Sequence, residues 1–235
     1  HRNYGRGPGV AVSMTTIGFI GSGRIGGTVA QLSVAAGHSV VLSNSRGPQT
    51  LSHLVAELGP LASAATGAEA AAAGDLVLVA IPLRAYESVP AGPLAGKIVM
   101  DADNYYPERD GHYAELDSGQ LTSSGLLQRH LPGAAVVKVF NNIYYRHLLS
   151  LARPPGAADR TFLPIAADDP AARAAVTEFL DSIGYGAVDY GPLAESWRQE
   201  PGEPAYGAPY GPFENQAGQP ASESIIREAL AAARR

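Results

Sequence analysis

The sequence predicts an α/β fold: a doubly wound parallel sheet with a smaller C-terminal α+β portion and a terminal helix. Three observations predict it. Residues 16–48 read as strand, glycine-rich turn, helix and strand. Short apolar runs then alternate with helical patterns as far as Phe140, the rhythm of parallel strands joined by crossover helices. Beyond Leu148 that rhythm gives way to a Pro- and Gly-containing linker, a strand–helix–strand unit, a Pro- and Gly-rich stretch and an amphipathic end.

The first strand is the apolar run Thr16-Ile17-Gly18-Phe19-Ile20. Gly21-Ser22-Gly23-Arg24-Ile25-Gly26 follows, the GxGxxG spacing of a dinucleotide-binding Rossmann unit in its required context, after a strand and opening a helix. Gly21 permits the tight turn, Gly23 lets a pyrophosphate approach the backbone, and Gly26 lets the helix pack closely on the sheet. The helix aims free backbone N–H groups and the positive end of its dipole at the phosphates. Ile25, Val29, Leu32 and Ala36 form its buried stripe, and Gly37 stops it.

The second strand, Val40-Val41-Leu42, selects the cofactor through its end. An NAD site wants Asp or Glu there to bond the ribose 2′-OH. The first acid after Gly21 is Glu57, and the strand end offers Ser43, Asn44, Ser45 and Arg46 instead. A guanidinium and hydroxyls suit a 2′-phosphate, which a carboxylate would repel. The expected cofactor is therefore NADP(H), with Asn44, Ser45 and Arg46 around its 2′-phosphate.

Pro48 opens a second helix with Leu51, Leu54, Val55 and Leu58 on one face, closed by Gly59-Pro60. Leu61 to Ala65 reads as a third strand and Gly67 to Ala73 as a short helix. Leu76 to Ile81 is apolar throughout, a strand buried on both faces and closed by Pro82. Arg84 to Val89 is a short helix or turn, Lys97 to Asp101 a fifth strand, and Asp103 to Gly111 a polar loop. Ser123 to His130 is a helix, and Ala135 to Phe140 a sixth strand ending in Asn141-Asn142. After the linker 152–158, Thr161 to Ala166 is a strand. Asp169 then caps a helix from Pro170 to Ile183 that Gly184 stops. Ala187 to Tyr190 is the last strand, residues 198–222 a loop or extended arm, and Ser222 to Arg235 a final helix.

Composition narrows the function. Apolar residues make up 46% and charged residues 17%, the balance of a globular chain. A net charge of −5, with no basic run before the C-terminal end, argues against nucleic acid as a partner. The absence of cysteine excludes disulfides, thiol catalysis and Cys-based metal sites, and no metal site is expected. No apolar span reaches the length of a membrane helix. HRNYGRGPGVAVSM lacks the apolar core of a signal peptide, so residues 1–14 read as an N-terminal extension, Met14 as a candidate start and the cytoplasm as the compartment. The expected domains are an NADP-binding Rossmann domain over residues 15–147 and a smaller C-terminal portion with a Pro/Gly-rich arm over 148–235.

In an open α/β sheet, ligands bind outside the carboxyl ends of the strands. Ala80, Ile81 and Pro82 are thus expected along the nicotinamide. Asn104, Tyr105, Asn141 and Asn142, after the fifth and sixth strands, are the candidates for binding a small-molecule hydride donor or acceptor, because amides and phenols recognise planar carbonyl-bearing rings. The segment Asp103 to Tyr106 is expected to face that crevice and Asn141 to Tyr145 to close its far side, although Tyr105, Tyr106, Tyr144 and Tyr145 each read equally as loop and interface packing. Asp101, Asp103 and Asp110 read as solvated or turn-bonding loop residues. His112, His130 and His147 are isolated, and the two lysines, Lys97 and Lys138, lie on strands. No catalytic residue is assigned. The chemistry expected is a hydride exchange that needs no strong protein acid or base.

The segments TIGFIGSGRIGG, AAGHSVVLSNSRGP, LVLVAIPL, PIAADDPAARAAV and GAVDYGPLAES, in that order across residues 16–196, resemble the coenzyme F420-dependent NADP oxidoreductases. The resemblance implies an N-terminal Rossmann domain with a smaller C-terminal part. It also implies a homodimer that moves hydride between NADP(H) and a deazaflavin, coenzyme F420, bound face to face. Carried over by motif, Ser22, Arg24 and Ile25 meet the pyrophosphate, Ser45 and Arg46 the 2′-phosphate, and Ile81 and Pro82 the nicotinamide. DADNYYPERDG, KVFNNIYYRHL and the Tyr-rich end after Trp197 differ from the best-studied members and mark a subgroup. Those departures lie where the second substrate is expected. The residues also accommodate two other functions: NADPH-dependent reduction of an organic carbonyl or imine, oriented by Asn104, Tyr105 or Asn141, and dinucleotide sensing without turnover.

Overall fold

In the computed structural model, which describes residues 15–235, Thr16–Ile20 (β1) lies inside one eight-stranded sheet. The chain proceeds through Arg24–Ala35 (α1), Ser39–Ser43 (β2), Ser52–Leu58 (α2), Ala62–Ala64 (β3), Gly67–Ala73 (α3), Leu76–Val79 (β4), Ala91–Leu94 (α4) and Ile98–Asp101 (β5). Pro107–Asp110 (α5), Ala114–Asp117 (α6), Ser123–His130 (α7), Ala135–Lys138 (β6) and Tyr145–Ser150 (α8) follow. Phe162–Ala167 (β7), Pro170–Ile183 (α9), Gly186–Asp189 (β8) and Glu223–Ala231 (α10) complete it. The spatial order is β3-β2-β1-β4-β5-β6-β7-β8, so the chain reverses direction between β1 and β4 and opens a crevice there. Residues 1–14, read above as an extension, lie outside the described residues.

The strands alternate faces and bury both. In β4, Leu76 and Leu78 join one core with Phe19, Val29, Met100 and Phe179, while Val77 and Val79 join the other with Val99, Leu94 and Leu127. Helices α1 and α9 cover the first face, and α3, α4 and α7 the second. Capping follows the sequence where it was written locally. Asp169 Oδ1 accepts from the Ala171 N–H at 2.8 Å, and Gly184 ends α9 with φ 109°.

Several boundaries differ from the expected ones. Pro48–Leu51 forms a 3-10 turn and α2 starts only at Ser52. The polar loop after β5 contains α5 and α6. Helix α8 stands where only an approach to the linker was expected; it spans 6 residues and has no side-chain cap, too little local signal to read. The fourth strand stops at Val79 rather than Ile81, because the Ile81 N–H turns to Asp103 Oδ1 at 2.8 Å instead of a neighbouring strand. The sixth stops at Lys138 rather than Phe140, which adopts φ 68°.

Residues 148–235 extend the same sheet. Every pairing is parallel except β6–β7, which is antiparallel and registers Val137 with Ala167 and Lys138 with Ala166. In that register the first four residues of β7, Phe162 to Ile165, rise past the carboxyl end of β6 as a wall beside the crevice. The Pro/Gly-rich stretch packs on this wall. The Tyr210 hydroxyl donates to the Phe162 carbonyl at 3.0 Å, and Ala205, Tyr210 and Ala221 are buried.

Candidate functional site

The turn from β1 into α1 has the form a pyrophosphate requires. Gly21 has φ 97°, and a Cβ there would stand 2.1 Å from the Ala80 carbonyl oxygen, so only glycine fits. A Cβ on Gly26 would meet the Gly21 carbonyl oxygen at 2.6 Å. At Gly23 the position is open, with no atom within 4 Å of a Cβ, which leaves room for a ligand against the backbone. Gly23 caps α1 without a side-chain acceptor, and the first turn holds no acid. The N–H groups at the helix start are thus left for an anion. Ser22 braces the turn, its Oγ donating to the Ser43 carbonyl at 2.6 Å.

Past β2 the chain forms a tight polar turn. Asn44 Oδ1 accepts from the N–H groups of Arg46 (3.1 Å) and Gly47 (2.9 Å), and its amide donates to Thr50 Oγ1 at 2.9 Å. Asn44 therefore shapes the loop, and Ser45 and Arg46 stand exposed at its tip. The Arg46 guanidinium has no hydrogen bond or ion pair among the described residues, so this cation is uncommitted.

The turn after β4 is held by a buried polar cluster. Asp103 Oδ1 accepts from the Ile81 N–H, and the Asp103 N–H donates to Asp101 Oδ1 at 2.9 Å. Lys138 Nζ donates to the Asp103 carbonyl at 2.6 Å and to Ser123 Oγ at 3.2 Å, and lies 3.7 Å from Asp101 Oδ2. Ser124 Oγ donates to Asp101 Oδ2 at 2.6 Å. Burial, and then the charge of Asp101, pushes the Asp103 carboxyl well above the ordinary carboxylate range. The expectation of solvated carboxylates is corrected, since Asp101, Asp103 and Asp110 are all buried, while the expected turn bonding holds: Asp101 accepts from the Asp103 N–H and Asp110 from the Tyr106 N–H.

Between the glycine-rich turn and the ends of β5 and β6 lies a cavity of about 580 Å³. Asn104, Asn141 and Asn142 line it, as does Ile25. Its other walls are Tyr106, Tyr144 and Tyr145, and residues 206–214 form the side supplied by the Pro/Gly-rich stretch. The structure places Tyr105 elsewhere. Its hydroxyl donates to Asp117 at 2.6 Å and accepts from the Tyr113 N–H at 3.0 Å. Of the two tyrosines of this loop expected at the crevice, Tyr106 stands in the wall and Tyr105 does not.

The asparagines mostly bind one another and the strap above them. Asn104 Nδ2 donates to the Asn141 carbonyl and Asn141 Nδ2 to Asn104 Oδ1, both at 3.0 Å. Asn141 also exchanges bonds with Gln199, at 2.8 and 2.7 Å. Asn142 Nδ2 donates to the Ala205 carbonyl at 3.0 Å and to the Tyr210 hydroxyl at 3.2 Å. At the mouth, Arg24 lies over the Tyr145 ring at 5.0 Å and donates to its hydroxyl at 3.2 Å, so the start of α1 and the start of α8 clasp across the crevice. Among the described residues, no group of three or more His, Asp and Glu is placed to hold a metal.

Residues 16–105 match the family described as NADP oxidoreductase, coenzyme F420-dependent. A solved hypothetical protein from Sinorhizobium meliloti is 32% identical, with a TM-score of 0.72 over 82% of this chain and 93% of that one. The chain belongs to the coenzyme F420-dependent NADP oxidoreductase family. It is an NADP-dependent oxidoreductase. A protein from Arthrobacter sp. FB24, described as a candidate F420-dependent NADP-reductase, is 26% identical, with a TM-score of 0.64 over 79% of this chain and 87% of that one. An imine reductase from Bacillus cereus, 20% identical with a TM-score of 0.57 over 78% of this chain and 58% of that one, shares the fold. No curated protein sequence matches the chain.

The site of this oxidoreductase fits NADP(H) at three independent points: the open backbone at Gly23, the free cation Arg46 and the fixed turn at Ile81. Bound there, NADP(H) would carry the hydride that is exchanged. Three features of the site were not read from the sequence. Tyr106 faces the crevice as its loop was expected to, but its pairing with Tyr206 was not read. Lys138 passed for a strand residue, although a lysine inside an apolar strand is itself a signal of a buried polar cluster. Tyr206, a hundred residues from Tyr106, sits in a stretch without periodicity.

Proposed function

We propose that this protein transfers hydride between NADP(H) and the deazaflavin coenzyme F420 in the cavity beside the glycine-rich turn, with the two ring systems aligned face to face. The observation that carries the reading is the cavity itself. Its 580 Å³ falls in the roughly 300–1,000 Å³ range of small-molecule sites, and its walls are aromatic where a flat conjugated ring has to rest. The family match supports a deazaflavin as the second substrate. Gly21, Ser22, Gly23, Arg24, Ile25 and Gly26 cradle the pyrophosphate. Ser45 and Arg46 hold the 2′-phosphate on the loop that Asn44 shapes, and Ala80, Ile81 and Pro82 border the nicotinamide. Asn104, Asn141 and Asn142 build the cavity floor. The family resemblance further supports a cytoplasmic homodimer.

The protein's own contribution is alignment and exclusion of water. Asp103 fixes Ile81 from below, and the strap anchored on Asn142 closes the cavity from above. A second reading, reduction of a neutral imine or ketone by NADPH, is favoured by the hydroxyl pair of Tyr106 and Tyr206 in the wall. Mixing the protein with NADPH and oxidised deazaflavin, and following both chromophores, tests the first reading. Stoichiometric loss of both absorbances is expected. NADPH oxidation with a cyclic imine but not with the deazaflavin would establish the second reading instead.

A further inference from the structure

Two phenol hydroxyls face each other in the cavity wall. Tyr106 comes from the loop after β5 and Tyr206 from the strap, and their hydroxyls are hydrogen-bonded to one another. Two hydroxyls in contact spend only one of their two hydrogens on the bond. Neither has another partner among the described residues, so one phenolic O–H is left for whatever fills the cavity.

Both rings are held in place. Asp110 Oδ2 accepts from the Tyr106 N–H at 2.9 Å, and Asp110 is buried. Arg109 is fixed by Asp110 Oδ1 at 3.0 Å and by the Asn104 carbonyl at 3.0 Å, and lies over the Tyr106 ring at 5.0 Å. The Tyr206 segment is tied down next door, where the Gly207 N–H donates to the Asn142 carbonyl at 2.8 Å. Burial, and then the bond to Tyr106, raises the Tyr206 phenol above its ordinary range. Either hydroxyl can donate in that bond, but the Arg109 guanidinium over the Tyr106 ring favours negative charge on Tyr106, so Tyr106 is the one placed to give up its hydrogen while Tyr206 donates to its oxygen.

We propose that Tyr106 is the proton donor of this oxidoreductase and that Tyr206 positions it. The assignment rests on reading the cavity as the acceptor site. It also defines the acceptor: a molecule with a planar reacting ring or double bond whose hydride-receiving carbon is double-bonded to, or conjugated with, a nitrogen or oxygen. The hydride adds to that carbon, the π pair moves onto the heteroatom, and the Tyr106 proton passes to it. NADPH is oxidised and the acceptor reduced. Tyr106 is left as a phenolate that accepts from the Tyr206 hydroxyl and lies under the Arg109 guanidinium, and it regains its proton from solvent.

The test compares the wild type with Tyr106→Phe and Tyr206→Phe, using NADPH with oxidised coenzyme F420 and, separately, with methylpyrroline. Turnover, the KM values, the effect of D2O on kcat, and NADPH affinity by Trp197 fluorescence are read for each. Tyr106→Phe is expected to lower kcat about a hundredfold and to abolish the D2O effect. Tyr206→Phe is expected to lower kcat about tenfold, since the phenolate loses one charge-assisted bond. NADPH affinity should stay unchanged in both, which a merely structural loss would not allow. A wild type that turns over and a Tyr106→Phe variant that turns over equally, with the D2O effect intact, overturn the assignment while leaving the cavity reading standing. A wild type that oxidises NADPH with neither probe overturns the cavity reading and the assignment with it.

Discussion

Arg46 can meet a 2′-phosphate because Asn44 spends its own side chain on the loop that carries it. The division of labour gives a clean expectation. Arg46→Ala removes a charged bond worth about 1.5–3 kcal/mol and should weaken NADPH binding by roughly 10–100-fold while leaving NADH unchanged. Equal loss for the two dinucleotides, measured by fluorescence titration, would remove the basis for cofactor selection. Gly23 and Gly21 separate folding from binding in the same way. A side chain at Gly23 stands in open space, so Gly23→Val should melt like the wild type yet bind no dinucleotide. Gly21→Val cannot fold around the Ala80 carbonyl. These residues were legible because six neighbours in the sequence make one turn. Tyr106 and Tyr206 were not: their meaning lies in a contact across a hundred residues, and no local pattern encodes it.

At the scale of elements, the strands ran shorter than their apolar runs because function begins where the ladder stops. Ile20 still accepts from the Ala80 N–H at 2.9 Å, but the next donor, Ile81, is taken by Asp103. Phe140 holds φ 68°, a conformation that costs a non-glycine residue about 1–3 kcal/mol; its ring, buried edge-on against Phe179, keeps it there and swings Asn141 and Asn142 toward the crevice. The strap is the element most dependent on its neighbours. Asn142 holds it at Ala205, and His147 of α8 bonds the Asn215 carbonyl at 2.7 Å. Asn142→Ala should leave the buried Ala205 carbonyl unpaired, at a cost of about 1–3 kcal/mol, and expose residues 206–214 to proteases without weakening NADPH binding. Limited proteolysis with and without NADPH reads this directly; an uncut strap would contradict the anchoring role. Proline and glycine in that stretch gave no period to read, so its packing could only be seen in the fold.

For the whole molecule, the Asp103 cluster links stability to pH. The folded protein keeps a proton on Asp103 that the unfolded chain releases above about pH 4. Stability is therefore full below that pH and is lost as pH rises toward the folded value. Asp103→Asn carries no charge at any pH. It should raise the melting temperature at about pH 8 and leave it nearly unchanged at about pH 4. Equal shifts at the two pH values in thermal melts would show that Asp103 is not held protonated. The doubly wound class and the alternation of strands and helices were legible because each strand's buried faces are written in consecutive residues, whereas the strand order was seen only in the fold. The reversal of β7 was not, since nothing in Thr161 to Ala167 distinguishes a parallel from an antiparallel neighbour.

That reversal has a consequence for the order in which the enzyme comes into being. The wall above β6 and the roof that rests on it come from the C-terminal third of the chain, while the turns proposed for the dinucleotide all lie at or before Asp103. On the ribosome, at roughly 5–20 residues per second, Tyr206 emerges about 5–20 s after Asp103. The chamber proposed for the acceptor is therefore among the last parts of the molecule to be made.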